Sequence, residues 1–211
     1  FSGAARDNNV RADTSLEKLA KLRPSFARDS QATLTAGNSS PLTDGSAGVL
    51  LASERWAAEH GLPVQAWLVD SEVGAVNFVD GDPGPDGLLM APAYAVSRLL
   101  ERNGLGFGDF DFFEIHEAFA AQVLCTLKAW KDAEFCREHL GRSEPLGEID
   151  RDKLNIVGGS VALGHPFGAT GARIVATLAK LLAQKGGSRG LISICTGGGM
   201  GVTAILEAAK E

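Results

Sequence analysis

Two glycine-rich segments each hold one side chain able to carry a proton near neutral pH. Gly158-Gly159-Ser160-Val161-Ala162-Leu163-Gly164-His165-Pro166 presents a histidine, and Cys195-Thr196-Gly197-Gly198-Gly199-Met200-Gly201 presents a cysteine 30 residues further on. Imidazole and thiol groups act as acids, bases or nucleophiles in this range. Glycine leaves the main chain bare, so its N–H groups can approach a ligand and stabilise an oxyanion. Together the loops point to one wall of an active site, with a side-chain acid or base and backbone donors facing one small molecule. The plainer readings are a structural histidine and, after the run Leu191-Ile192-Ser193-Ile194, a cysteine serving as a small buried hydrophobe. The three glycines from Gly197 to Gly199 are harder to assign to packing and suit an anion-binding nest. A nucleotide loop is weakly supported, because neither segment offers G-x-G-x-x-G in an opening βαβ unit or the Lys-Ser/Thr ending of a phosphate loop. His116, His165 and Cys195 lack close ligand spacing, so no metal is expected.

The elements that must carry these loops alternate between strand and helix. Asp13-Thr14 caps a short helix through Leu22, Ala32 to Thr35 reads as a short buried strand, and a helix is expected from about Ser46 to His60. Val64 to Val69 is β-like and Asp80 to Pro85 is loop. Pro92 fits the first turn of a helix that runs to Asn103 and closes at Gly104. Phe110 to Ile115 reads as a strand, and His116-Glu117-Ala118-Phe119 opens a helix to about Trp130. Lys131 to Lys153 reads as a solvated excursion, and Leu154 to Val157 as a strand feeding the first glycine loop. Ala169 to Gln184 is an amphipathic helix, and Leu191 to Cys195 and Val202 to Leu206 are neighbouring strands suited to antiparallel pairing. The pattern predicts an α/β layered architecture with helices on both faces of a sheet. The best internal boundary lies around Gly61 to Val64.

Composition narrows the function classes. The net charge of −6 disfavours a general nucleic-acid binder, and the main cationic concentration is Arg11, Lys18, Lys21 and Arg23. Three cysteines at irregular spacing, Cys125, Cys136 and Cys195, argue for a reducing compartment and against a disulfide framework. Cys125 and Cys136 read as structural. No apolar run reaches the length of a membrane span. The chain begins at Phe1 rather than Met, which suggests that an N-terminal portion precedes it.

Four blocks, in order, resemble the thiolase family. Gly164-His165-Pro166, Cys195-Thr196-Gly197 and Glu114-Ile115-His116-Glu117-Ala118-Phe119 look like its C-terminal signatures. Thr35-Ala36-Gly37-Asn38-Ser39-Ser40 with Asp44-Gly45 resembles its segment lining the coenzyme A channel, and Leu19 to Pro24 also matches. His116 stands where most thiolases carry Asn, a version similar to the thiolase of trifunctional β-oxidation complexes.

The resemblance implies helices around a mixed five-stranded sheet, with residues 63–211 forming a C-terminal domain and 1–62 a remnant of the loop and N-terminal domain. It implies thiolytic cleavage of 3-ketoacyl-CoA, or the reverse Claisen condensation, with coenzyme A as co-substrate and no permanently bound cofactor. Carried onto this chain, Cys195 is an acid/base, and His165 activates a nucleophilic cysteine supplied by an N-terminal half. His116 and Gly197 contribute to oxyanion holes. Ser40, Ala36 and Arg11 line the coenzyme A path, and Met90 and Phe119 border the acyl pocket. The implied partners are the N-terminal half, further copies in a homo-oligomer and a hydratase/dehydrogenase subunit. The implied location is cytoplasmic, or the mitochondrial matrix in a eukaryote. A non-catalytic coenzyme A-binding or scaffold module of a β-oxidation complex is the alternative. A condensing enzyme of ketoacyl-synthase type is a third reading, and Cys195 argues against it.

Overall fold

Strict alternation along the last two strands builds the centre of the fold. The structure is a computed structural model that describes residues 5–79 and 87–209. Strand β1 (Ala66–Ala75), helix α3 (Ala91–Asn103), strand β2 (Phe112–Ile115), helix α7 (Thr170–Lys185) and strands β3 (Arg189–Thr196) and β4 (Met200–Ala208) form its body. Two short helices, α1 (Leu16–Ala20) and α2 (Glu54–Glu59), precede it, and α4 (Ala120–Lys131), α5 (Ala133–His139) and α6 (Ser160–Leu163) lie between β2 and α7.

The sheet is four-stranded with order β1-β4-β3-β2. β4 pairs antiparallel with both β1 and β3, and β2 pairs parallel with β3. Successive side chains on a strand point to opposite faces, so Leu191 and Ile205 join one apolar cluster while Ile192, Ala204 and Leu206 join another. The first cluster packs against α3 and α4 through Val96, Leu99, Leu100 and Trp130. The second packs against α7 through Ile174, Leu178 and Leu182, at helical spacing. Each fully buried side chain of this size contributes roughly 1.5–3 kcal/mol. Helices therefore cover both faces, as the alternating pattern predicts.

The boundaries of α3 are local chemistry. Pro92 stands in its first turn, where a missing N–H costs nothing, and Gly104 closes it with φ of 63°. On its outer edge Arg102 Nε donates to Asp70 Oδ2 at 2.8 Å, tying the helix to strand β1.

Several expectations change. The segment 154–157, expected as a fifth strand, makes only one bridge, Leu154 with Phe113. Asn155 adopts φ of 47°, and Gly158 N donates back to its carbonyl, so the chain turns there instead of extending. The segment 32–35 is likewise no strand, making a single bridge from Thr35 to Pro24 on a stretch that is half-buried at best. The helix expected from Ser46 contracts to α2, because its first half has nothing to bury against and Leu50 and Leu51 stay exposed. His116 to Phe119 do not open α4, which starts at Ala120. Ala120 N donates to Asn38 O and Ser40 N to Ala118 O, and these bonds hold the segment extended. The excursion after Lys131 is partly core, for it contains α5 and buries Cys136 and Ile149. The loop expected at Asp80 to Pro85 lies outside the described residues, save for its flanks. Among the described residues no helix is long and apolar enough to cross a membrane.

Candidate active site

The carboxyl ends of β2 and β3 deliver the reactive side chains to one edge of the sheet. His116 follows β2 directly, and its backbone N–H extends the ladder by donating to Ser193 O at 2.9 Å. Cys195 is two residues further along β3. Backbone hydrogen bonds involving Cys195 and Ala118 reach its thiol, so the segment after β2 and the end of β3 meet at the sulfur.

The first glycine loop arrives from the other side. α6 turns inside it, and Gly164 ends that turn with φ of 95°. A Cβ at Gly164 would also stand 2.5 Å from Thr43 Cγ2, so both backbone angle and space require glycine. The next residue is His165, whose N–H donates to Pro41 O at 2.9 Å. Glu117 braces the loop, with Asn155 Nδ2 donating to Oε1 at 2.7 Å and Val161 N to Oε2 at 3.1 Å. A side chain at Gly159 would meet that carboxylate, with a Cβ 2.5 Å from Glu117 Cδ.

These contacts set the rings of His116 and His165 with centroids 4.3 Å apart at 48°. Each ring has a different hydroxyl partner. His116 Nδ1 lies 3.0 Å from Ser160 Oγ, and His165 Nδ1 lies 2.7 Å from Thr170 Oγ1. Thr170 Oγ1 in turn reaches Pro166 O at 3.3 Å. A threonine hydroxyl donating to that carbonyl can accept from His165 Nδ1–H, which leaves Nε2 with a free lone pair.

The electrostatics separate the groups by role. Burial lowers the His116 pKa to about 4, with His165 and Arg173 adding to the effect. His165 is also lowered, by burial and then by Arg173. Both imidazoles are therefore neutral at pH 7, fit to donate through one nitrogen and accept through the other. Burial pushes the Cys195 thiol up to about 11, against backbone hydrogen bonds that pull it down. At neutral pH Cys195 is a thiol that can yield a proton to a basic carbon or sulfur, not a ready thiolate. The loop after it is tight: Thr196 pairs with Met200, and Gly198 and Gly199 take φ of 95° and 73° between them.

The structure brings His116, His165 and Cys195 to one edge, and Ser40 and Phe119 with them. Ser40 Oγ donates to Ala118 O at 3.0 Å, and Phe119 bridges to Ser39 while its ring meets Phe26 edge-on at 5.5 Å. Gly197 is exposed at the tip after Cys195. Met90 is instead buried in the apolar cluster below α3, and Ala36 and Arg11 stand on exposed turns of the preceding strip. Sequence reasoning missed Ser160, Thr170 and Arg173 as the groups around the histidines and Glu117 as the brace of the glycine loop. Ser160 and Glu117 stand inside motifs already singled out, but which group each would face depends on the turns at Asn155 and Gly164.

Comparison with known proteins gives this edge its setting. The family model described as "Thiolase, C-terminal domain" matches residues 71–208, and "Thiolase, N-terminal domain" matches residues 3–55. The 3-ketoacyl-CoA thiolase of Serratia proteamaculans is 44% identical over 203 residues, covering 96% of this chain and 45% of that protein. Among solved structures, the Bacillus anthracis acetyl-CoA acetyltransferase superposes with a TM-score of 0.79 at 40% identity, over 97% of this chain and 45% of that one. Human mitochondrial 3-ketoacyl-CoA thiolase in complex with CoA gives 0.76 at 34% identity, over 96% and 45%. The chain thus spans less than half the length of the relatives it matches. Its signature blocks, its layered sheet and the match across residues 71–208 agree, and the chain belongs to the thiolase family.

Proposed function

We propose that this chain supplies the acid/base half of a degradative thiolase, which cleaves a 3-ketoacyl-CoA with coenzyme A as co-substrate and needs no permanently bound cofactor. The observation that carries this reading is the paired neutral imidazoles, 4.3 Å apart, at the same sheet edge as a protonated Cys195 thiol. None of the three cysteines fits the nucleophile. Cys136 is buried in the core, Cys125 lies on the exposed face of α4, and Cys195 is held protonated. The nucleophilic cysteine therefore comes from the remainder of a thiolase N-terminal domain, to which residues 3–55 also belong by similarity. Residues 1–62 and 63–211 are the two parts of this division.

In the cleavage, the His165 imidazole takes the proton of that cysteine, and the thiolate attacks the 3-keto carbon. The resulting oxyanion accepts hydrogen bonds from His116 and from His165. The bond between C2 and C3 then breaks, its electron pair leaves on C2 as the acetyl-CoA carbanion, and the Cys195 thiol protonates that carbon. Coenzyme A next gives its thiol proton to the Cys195 thiolate and attacks the acyl-enzyme thioester, while the departing cysteine sulfur regains its proton from His165. The Gly197 N–H stabilises the thioester oxygen in the second oxyanion hole. Ser40, Ala36 and Arg11 follow the pantetheine arm and phosphates of coenzyme A, and Phe119 and Met90 border the acyl chain, Met90 from within the core.

The same reading carries a homo-oligomer, a hydratase/dehydrogenase partner in β-oxidation, and a cytoplasmic or mitochondrial matrix location. A non-catalytic scaffold has no use for a hydroxyl partner on each imidazole, so the geometry favours catalysis. The test is mutational. In this chain joined to a complete thiolase N-terminal domain, Cys195→Ala and His165→Ala each lower the rate of 3-ketoacyl-CoA thiolysis at least about 10²-fold. Near-normal turnover in either variant removes the role assigned to that residue.

A further inference from the structure

Ser160 stands between two groups that cannot both use it in the same way. Its side chain is fully buried. Arg173 Nη2 donates to Ser160 Oγ at 2.9 Å, and a guanidinium has no capacity to accept. The other hydrogen-bond partner of this hydroxyl among the described residues is His116 Nδ1, at 3.0 Å. The hydroxyl proton therefore has one acceptor available, the Nδ1 lone pair. Were Nδ1 protonated, the serine oxygen would accept twice and its own proton would be buried without a partner, which an apolar interior penalises.

We propose that Ser160 and Arg173 are positioning residues that lock the His116 imidazole in its Nε2–H form, so that Nε2 is a permanent hydrogen-bond donor at the site. The meaning of that donor rests on the thiolysis reading above, where it faces the oxyanion. The tautomer itself does not rest on it.

Arg173 is an odd residue to find where it is unless it has this task. It lies in the first turn of α7, where a cation is disfavoured by the helix dipole. Its Nε is buried without a hydrogen-bond partner among the described residues. The acidic group facing it is Glu114 on β2, itself buried, whose Oε1 is also without a hydrogen-bond partner there and whose pKa Arg173 pulls down against the larger effect of burial. Three elements thus combine on one imidazole: β2 supplies the acid and leads into the histidine, α6 supplies the hydroxyl, and α7 the cation. The neighbouring ring has no such arrangement, for His165 Nδ1 meets a threonine that has a carbonyl of its own to satisfy. The two imidazoles can therefore hold opposite tautomers, one Nε2 donating and the other accepting.

The test reads the ring nitrogens directly. The chain has four histidines, so histidine-selective 15N labelling gives a small set of signals, and the set lost in His116→Asn is that of His116. The expected result at pH 7 is a bare, pyridine-like Nδ1 and a protonated Nε2 on His116. A protonated Nδ1, or averaging between the two forms, overturns the proposal. Ser160→Ala is expected to abolish the preference. In the chain joined to a complete N-terminal domain it should also lower kcat at least about tenfold with KM for the acyl-CoA little changed. Retention of both tautomer and kcat in Ser160→Ala overturns the proposal. If that variant does not fold, Arg173→Gln serves, and an unchanged, unmixed Nε2–H form there counts equally against it. Failure of the thiolase reading would show differently, as a wild-type protein with the locked tautomer and no thiolysis.

Discussion

The body of the molecule, residues 66–208, and the strip before it, residues 5–65, are held by different forces. Both apolar clusters lie almost wholly in the body, which buries Trp130, Phe113, Leu99 and Leu178 at no more than 1% exposure. In the strip, the buried residues are Ser39 and Ala57, and α1 buries none. Leu16, Leu50 and Leu51 are 72–86% exposed. What fixes the strip is backbone pairing with the site loops: Ser40 to Ala118, Ala120 to Asn38, and His165 to Pro41. The site thus does structural work, holding in register a segment that cannot bury enough surface to hold itself. Under the proposed function, the exposed leucines are covered by the rest of the N-terminal domain.

The contrast breaks most readily through the core. Trp130→Ala should cost about 3–5 kcal/mol in urea unfolding, because the indole is fully buried and its Nε1 donates to Ala93 O at 3.2 Å. A cost below about 1 kcal/mol would mean that the body is not built around that cluster.

The next effect is a pH dependence from the edge where the two regions meet. Burial raises Glu114 from its ordinary 4.5 to about 7, with Arg173 opposing and Glu117 reinforcing. Between those values the folded state holds the extra proton, so this group's contribution to stability falls as pH rises. His116, lowered from 6.5 to about 4, acts in the opposite sense: the unfolded state holds the extra proton, and stability is gained as pH rises through that window. Wild type should therefore vary little between pH 4.5 and 6.5 on account of this pair. Glu114→Gln removes the falling contribution, and should gain stability relative to wild type by about 3 kcal/mol between pH 4.5 and 8. A difference between the two proteins that does not change with pH would show that Glu114 is not held as described. The smallest effect sharpens the other side: Leu50→Ala in this chain alone should change stability by no more than about 0.5 kcal/mol. A cost above 1 kcal/mol would place hidden packing in the strip.

The same division separates what the sequence made legible from what it did not. In the body, α3 shows its own ends through Pro92 and Gly104, and the β3–β4 pair shows itself in two apolar strands around a glycine turn. These are local signals. The segment 154–157 misled because its apolar run is interrupted by one conformation, the positive φ of Asn155, that composition does not reveal. The strip misled for a different reason. Ser46 to His60 carries helix-forming residues, yet its first half has no surface to pack on, and helices of this length depend on such burial. At the site, His116, His165 and Cys195 were visible as reactive types set in glycine-rich or signature sequence. Their partners Ser160, Thr170 and Arg173 became assignable only when turns brought together residues as many as 44 positions apart.

The central claim is that these residues are the acid/base half of a thiolase whose nucleophile lies elsewhere. The most direct measurement is acetyl-CoA formation from a 3-ketoacyl-CoA and coenzyme A, by the purified 211-residue chain and by the same chain joined to a complete thiolase N-terminal domain. The prediction is no turnover above background for the chain alone and thiolysis once the N-terminal domain is present. Acetyl-CoA released by the chain alone would contradict it, since a nucleophile would then have to be present among Cys125, Cys136 and Cys195.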